Sequence, residues 1–177
     1  HLDTLAPDTV NEVVAVTREK GAIPALYSTD IFDQKVYYDT LDGACPFFSW
    51  YVSEDKRCVM VGDCLDYADS VQQVGMIASR DIIFAIREAL GGIAAQVLAL
   101  PFESPRFGGK NEDYWFLQVV GGTSTKLGAL KRIAGWVGAP PGRLVAVGDN
   151  YNDAEMMVGA DVGIAMGNAP DEVKRLA

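Results

Sequence analysis

The chain has 177 residues, 49% of them apolar, with 24 acidic and 15 basic side chains for a net charge of −9. This is a globular composition, long enough for one large domain or two small ones with a hydrophobic core. An acidic chain is not drawn to a phosphate backbone at long range, which argues against nucleic acid as a partner; a small phosphorylated molecule is instead recruited by a local site.

Helical spacing first appears after Pro7, where Val10, Val13 and Val14 share one face; Asp8 and Thr9 are candidate caps and Gly21 ends the segment. AIPALYS (Ala22 to Ser28) reads as a strand and Lys35 to Tyr38 as a second. From Gly43 to Tyr67 aromatic and polar residues mix without a period, and no element is assigned. VQQVGMIA (Val71 to Ala78) reads as a strand. Ser79 then caps a helix running to Leu90, with Ile82, Ile83, Ile86 and Leu90 in one stripe and Gly91-Gly92 as its stop. Ala95 to Pro101 and Tyr114 to Val120 read as strands. The turn-rich ESPRFGGKNED between them reads as an exposed loop, with Arg106, Lys110 and the adjacent Trp115 able to reach a substrate. Residues 1–121 therefore read as an α+β domain.

The texture changes at Gly121-Gly122. Thr123 to Thr125 are cap residues for a helix with Leu127, Leu130, Ala134 and Val137 at helical spacing, broken over Gly138 to Gly142. LVAVG, a helix from about Asp153 to Val158, and DVGIAMG (Asp161 to Gly167) give strand, helix and strand with short loops, a right-handed parallel crossover. Both strands are apolar throughout, as parallel strands covered on two faces are. Residues 122–177 thus read as a Rossmann-like parallel layer, and the chain as α/β. In GNAPDEV, Asn168 reads as the cap of a helix with Pro170 in its first turn.

Cys45, Cys58 and Cys64 form no CxxC pair and are odd in number, which disfavours a disulfide framework or a cysteine zinc site and suits reduced packing residues in the cytoplasm. The single histidine, His1, leaves Ser-His or Cys-His catalysis without support. No apolar run reaches membrane-spanning length.

The chemistry gathers in LVAVGDNYNDAEMM (Leu144 to Met157). Asp149 falls just past the end of a parallel strand, the edge where open α/β sheets bind ligands, and Asp153 falls at the start of the next helix. Two carboxylates there repel unless a cation joins them, and Mg²⁺ suits an all-oxygen site that also meets a phosphate. Asn150 and Asn152 can orient the carboxylates or contact the phosphate. A turn with a helix cap is the bland alternative, and an EF-hand loop fits poorly because Tyr151 and Ala154 fall at its third and sixth positions. Lys126 opposes the dipole of the helix it begins, which makes sense if an anion lies there.

GTSTKLGAL, LVAVGDNYNDAEMM and VGIAMGNAPDEVK together resemble the carboxy-terminal half of haloacid dehalogenase superfamily phosphatases of the Cof type, over residues 117–177. The resemblance implies that Lys126 stabilises phosphate, Asp149 ligates Mg²⁺ directly, Asp153 supports the metal and Asn152 lies on the phosphate side. It also implies a substrate-selecting cap over residues 1–121, a small phosphorylated metabolite as substrate, and an aspartyl-phosphate intermediate. The family's nucleophile lies in a DxDxT motif ahead of the cap, and no DxDxT occurs in this sequence. The 177 residues are therefore expected to be a cap plus half a core, inactive alone, with an exposed sheet edge that favours oligomerisation. A non-catalytic binding domain of the same fold and a piece of a P-type ATPase phosphorylation domain are the alternatives. A costly carboxylate pair argues against the first, and the lack of long membrane helices against the second.

Overall fold

The computed structural model describes residues 4–30, 32–104, 109–122 and 125–177. His1, Arg106, Thr123 and Ser124, named above, lie outside the described residues. The chain divides into two compact units, His1–Gly122 and Thr123–Ala177.

The first unit is built on a six-stranded sheet of β1 (Ala25–Ser28), β2 (Val36–Tyr38), β3 (Cys58–Met60), β4 (Val71–Ser79), β5 (Ala95–Ser104) and β6 (Gly109–Gly121). Its order is β3-β2-β1-β4-β6-β5. Every pairing is antiparallel except β2 with β3. The pleat sorts its apolar residues onto two faces. On one, Leu26, Val74, Met76 and Leu117 pack with Val10, Val13 and Val14 of α1 (Pro7–Glu19) and Ile83 and Ile86 of α3 (Arg80–Ala89). On the other, Ala25, Val36, Ile77 and Phe102 pack with Phe47, Phe48 and Val52 of α2 (Pro46–Glu54).

Asp8 and Thr9 do not cap α1: Pro7 occupies its first turn, the N-cap is Ala6 without a side-chain bond, and Asp8 sits in the first turn. Ser79 holds the N-cap position of α3, but its hydroxyl makes no capping bond. The expected 103–113 loop is shortened from both ends, because β5 runs to Ser104 and β6 begins at Gly109, pairing Phe102 with Asn111 and Ser104 with Gly109 beyond a register shift at Pro101/Phe102. Turn-forming composition yields there to a ladder already established by ten-residue and longer strands. Lys110 therefore lies in a strand, as does Trp115, whose ring meets Phe84 edge-on at 5.1 Å.

The second unit holds α4 (Lys126–Trp136), β7 (Val145–Gly148), α5 (Ala154–Val158), β8 (Val162–Ala165) and α6 (Asp171–Lys174). β7 and β8 are parallel neighbours, Val145 opposite Val162 and Gly148 opposite Ala165. A small core of Ala146, Met157, Ala169 and Val173 lies on one face. The other face is open: Val145, Val147, Val162 and Ile164 are 45–54% exposed, so these strands are not covered on both sides. The α4 stripe is likewise only half-buried at Leu127, Leu130 and Ala134, and Val137 is exposed. Asn168 caps no helix, since the N-cap of α6 is Pro170.

Candidate active site

The parallel pair delivers Asp149 to the carboxyl end of β7, and the chain then turns at once through a 3-10 turn, Tyr151–Asp153, into α5. A reciprocal capping box fixes this turn: Asn150 and Asp153 each accept from the other's end of it. Asp153 accepts at Oδ2 from the backbone N–H of Asp149 at 3.1 Å and of Asn150 at 3.4 Å. The carboxylate lies so close to β7 that only glycine fits at position 148, where a Cβ would come within 2.4 Å of the Asp153 Cβ.

The other oxygen of Asp153 faces α4. Thr125 caps that helix, its hydroxyl accepting from the Gly128 N–H at 2.9 Å. The first helical residue, Lys126, is thereby aimed with Nζ 2.5 Å from Asp153 Oδ1. Here is the anion that a lysine against the helix dipole required. Burial pushes the Asp153 carboxyl upward, but the Lys126 hydrogen bond and charge and the two backbone N–H groups outweigh it, and the group is held below the usual carboxylate range.

Asp149 differs. It is exposed, it accepts at Oδ2 from the Asn168 amide at 3.2 Å, and its Oδ1 has no partner among the described residues. Asn152 is half-exposed, and its amide too has no partner among the described residues. The four residues singled out in the sequence thus occupy one short stretch of the sheet edge, but unequally. Both oxygens of Asp153 are engaged, so it holds Lys126 and the turn, whereas Asp149 offers an open hard oxygen donor of the kind Mg²⁺ takes.

Sequence reasoning gave Asn168 only a capping role; its amide reaches Asp149 from the loop after β8, a contact between two loops that no local spacing signals. It also missed a cluster in the first unit, where Asp39, Asp63 and Cys64 lie together. Arg18 bridges both carboxylates at 2.6 Å, so a cation already occupies that cluster. Burial pushes all three thiols upward, Cys58 to about 11, which disfavours the thiolate form. Among the described residues no helix is long and apolar enough to cross a membrane.

A family model described as haloacid dehalogenase-like hydrolase matches residues 3–177. The 5-amino-6-(5-phospho-D-ribitylamino)uracil phosphatase YitU of Bacillus subtilis (strain 168) is 31% identical over 120 residues, which are 67% of this chain and 42% of that protein. Among solved structures, a haloacid dehalogenase-like hydrolase from Bacteroides thetaiotaomicron superposes with a TM-score of 0.74 at 20% identity, covering 99% of this chain and 61% of the other. A sugar phosphatase of HAD subclass IIB superposes with a TM-score of 0.67 at 17% identity, covering 99% and 60%. The chain spans less than two thirds of the length of each of these proteins.

Proposed function

This chain belongs to the haloacid dehalogenase-like hydrolases, and from that membership we propose that it is part of a Mg²⁺-dependent phosphatase that hydrolyses phosphate monoesters of small metabolites through an aspartyl-phosphate. One arrangement carries the reading: Asp149 at the end of β7, its carboxylate exposed and its backbone N–H tied through Asp153 to the ammonium of Lys126. A phosphorylated sugar-like substrate is favoured because one relative is named for a phosphoribityl compound and one structural neighbour for sugar phosphates.

Asp149 would hold Mg²⁺ with its open oxygen. The bound ion supplies positive charge against the transferring phosphoryl group. Lys126 presents a second positive charge, held in direction by Asp153, where negative charge develops on the phosphoryl oxygens. Asn152 has a free amide to donate to the phosphate. Asp153 works through its neighbours, fixing the Lys126 ammonium and the Asp149 backbone.

The aspartate that would carry the phosphoryl group stands in no DxDxT of this sequence. We assign it to residues outside these 177, which alone would bind metal without turning over ester. Residues 1–121 would form the cap that selects the leaving group, and three thiols without disulfides suit a cytoplasmic setting. The test is phosphate release from a panel of sugar phosphates by the whole protein. Release that requires added Mg²⁺ is expected; release undiminished by chelation would contradict the proposal.

A further inference from the structure

We infer that Asn168 is a positioning residue for the Asp149 carboxylate, a role that rests on the reading of Asp149 as the Mg²⁺ ligand. The loop bearing it is fixed from two directions. The ladder between β7 and β8 runs one residue past the strands, with the Met166 N–H donating to the Gly148 carbonyl at 2.9 Å. The chain then closes a tight turn, the Ala169 N–H donating to the Met166 carbonyl at 3.0 Å. Ala169 is buried with Ala146, Met157 and Val173, which pins the turn from beneath. Asn168 is thus carried at the mouth of the site while its neighbour is anchored in the core.

The amide is not spent on local structure. Pro170, not Asn168, is the N-cap of α6, and no side chain caps that helix. The Nδ2 of Asn168 instead donates to Asp149 Oδ2 at 3.2 Å. A donor on one oxygen restrains the plane of the carboxylate and leaves Oδ1 without a partner among the described residues. It adds no charge, so it orients the ligand without competing with a cation as a lysine would. Alanine at 168 would leave Asp149 free to rotate, and hydrogen bonds to a ligating carboxylate are worth about 10-fold or more in metal affinity.

The experiment titrates Mg²⁺ calorimetrically into parent, Asn168→Ala, Asn168→Gly and Asp149→Ala proteins, and records thermal unfolding of each without metal. Glycine serves as a second variant because it suits the turn. The expected result is Mg²⁺ binding weakened about 10-fold in both Asn168 variants, with metal-free midpoints within about 2 °C of the parent. Parental affinity in both would overturn the inference. So would a loss of affinity that only tracks a lowered midpoint, which is a structural role. Parental affinity in Asp149→Ala would instead overturn the reading of Asp149 beneath it.

Discussion

The Nζ of Lys126 lies 2.5 Å from Oδ1 of Asp153, joining the first turn of α4 to the turn that follows β7 across 27 residues of sequence. The Asp153 side chain is 9% exposed and the lysine side chain 50%, so the pair is anchored at its acidic end and open at its basic end. That asymmetry suits a lysine that must keep direction while meeting a ligand.

Removing the anchor should therefore cost stability as well as aim. Asp153→Ala leaves two backbone N–H groups and an ammonium without their acceptor. A loss of about 2 kcal/mol is expected, discounted at the half-exposed lysine by solvent screening. Urea unfolding measures it. Asp153→Asn, which keeps an oxygen acceptor, should lose less.

The same carboxylate gives a pH signature. Its folded value lies below the ordinary one, so the native state binds fewer protons than the unfolded chain between the two values. Its contribution is present above the unfolded value of about 3.9 and is lost as pH falls through the lower folded value. Unfolding free energy measured downward from pH 6 should fall more steeply in the parent than in Asp153→Asn.

Gly148→Ala tests the close approach. A Cβ there would lie 2.4 Å from the Asp153 Cβ and 2.9 Å from its Cγ, so the carboxylate must move. A cost of about 1–3 kcal/mol is expected, with weakened Mg²⁺ binding alongside it. Parental unfolding and metal binding would mean the turn accommodates the methyl.

The open sheet face predicts association. Val145 and Val147 stand beside Val162 and Ile164 in register, all about half-exposed, and form one apolar strip. The 177-residue chain should associate with rising concentration in sedimentation experiments. Val147→Thr with Ile164→Thr should shift the balance toward monomer.

Much of the fold follows from local pattern. The stripe Val10, Val13, Val14 and the stripe Ile83, Ile86, Leu90 are buried as helix spacing requires, and the β7–α5–β8 crossover lies where two apolar runs flank a short helix. The 43–67 segment was illegible for a physical reason. Its helix α2 is aromatic on several sides and is capped by a thiol, Cys45 Sγ accepting from the Phe48 N–H, which no usual capping pattern announces. The strand ends at Glu103–Ser104 and Gly109–Asp113 were hidden by turn-forming residues that a long-range ladder overrides. Apolar runs at β7 and β8 could not show that one face is open, because hydrophobicity alone does not say what lies opposite. In the candidate site, Lys126 and Asp153 were visible as a misplaced cation and a carboxylate at a sheet edge. The Asn168 contact, made between two loops, had no sequence period to betray it.

In the proposed reaction Asp149 and Lys126 together meet a metal and a phosphate. The most direct measurement compares phosphate-ester turnover by the whole protein with that of Asp149→Ala and Lys126→Ala, each checked for folding. Loss of about 100-fold or more in both is predicted, as for removal of a group that meets developing charge. Near-parental turnover in either folded variant would contradict the account.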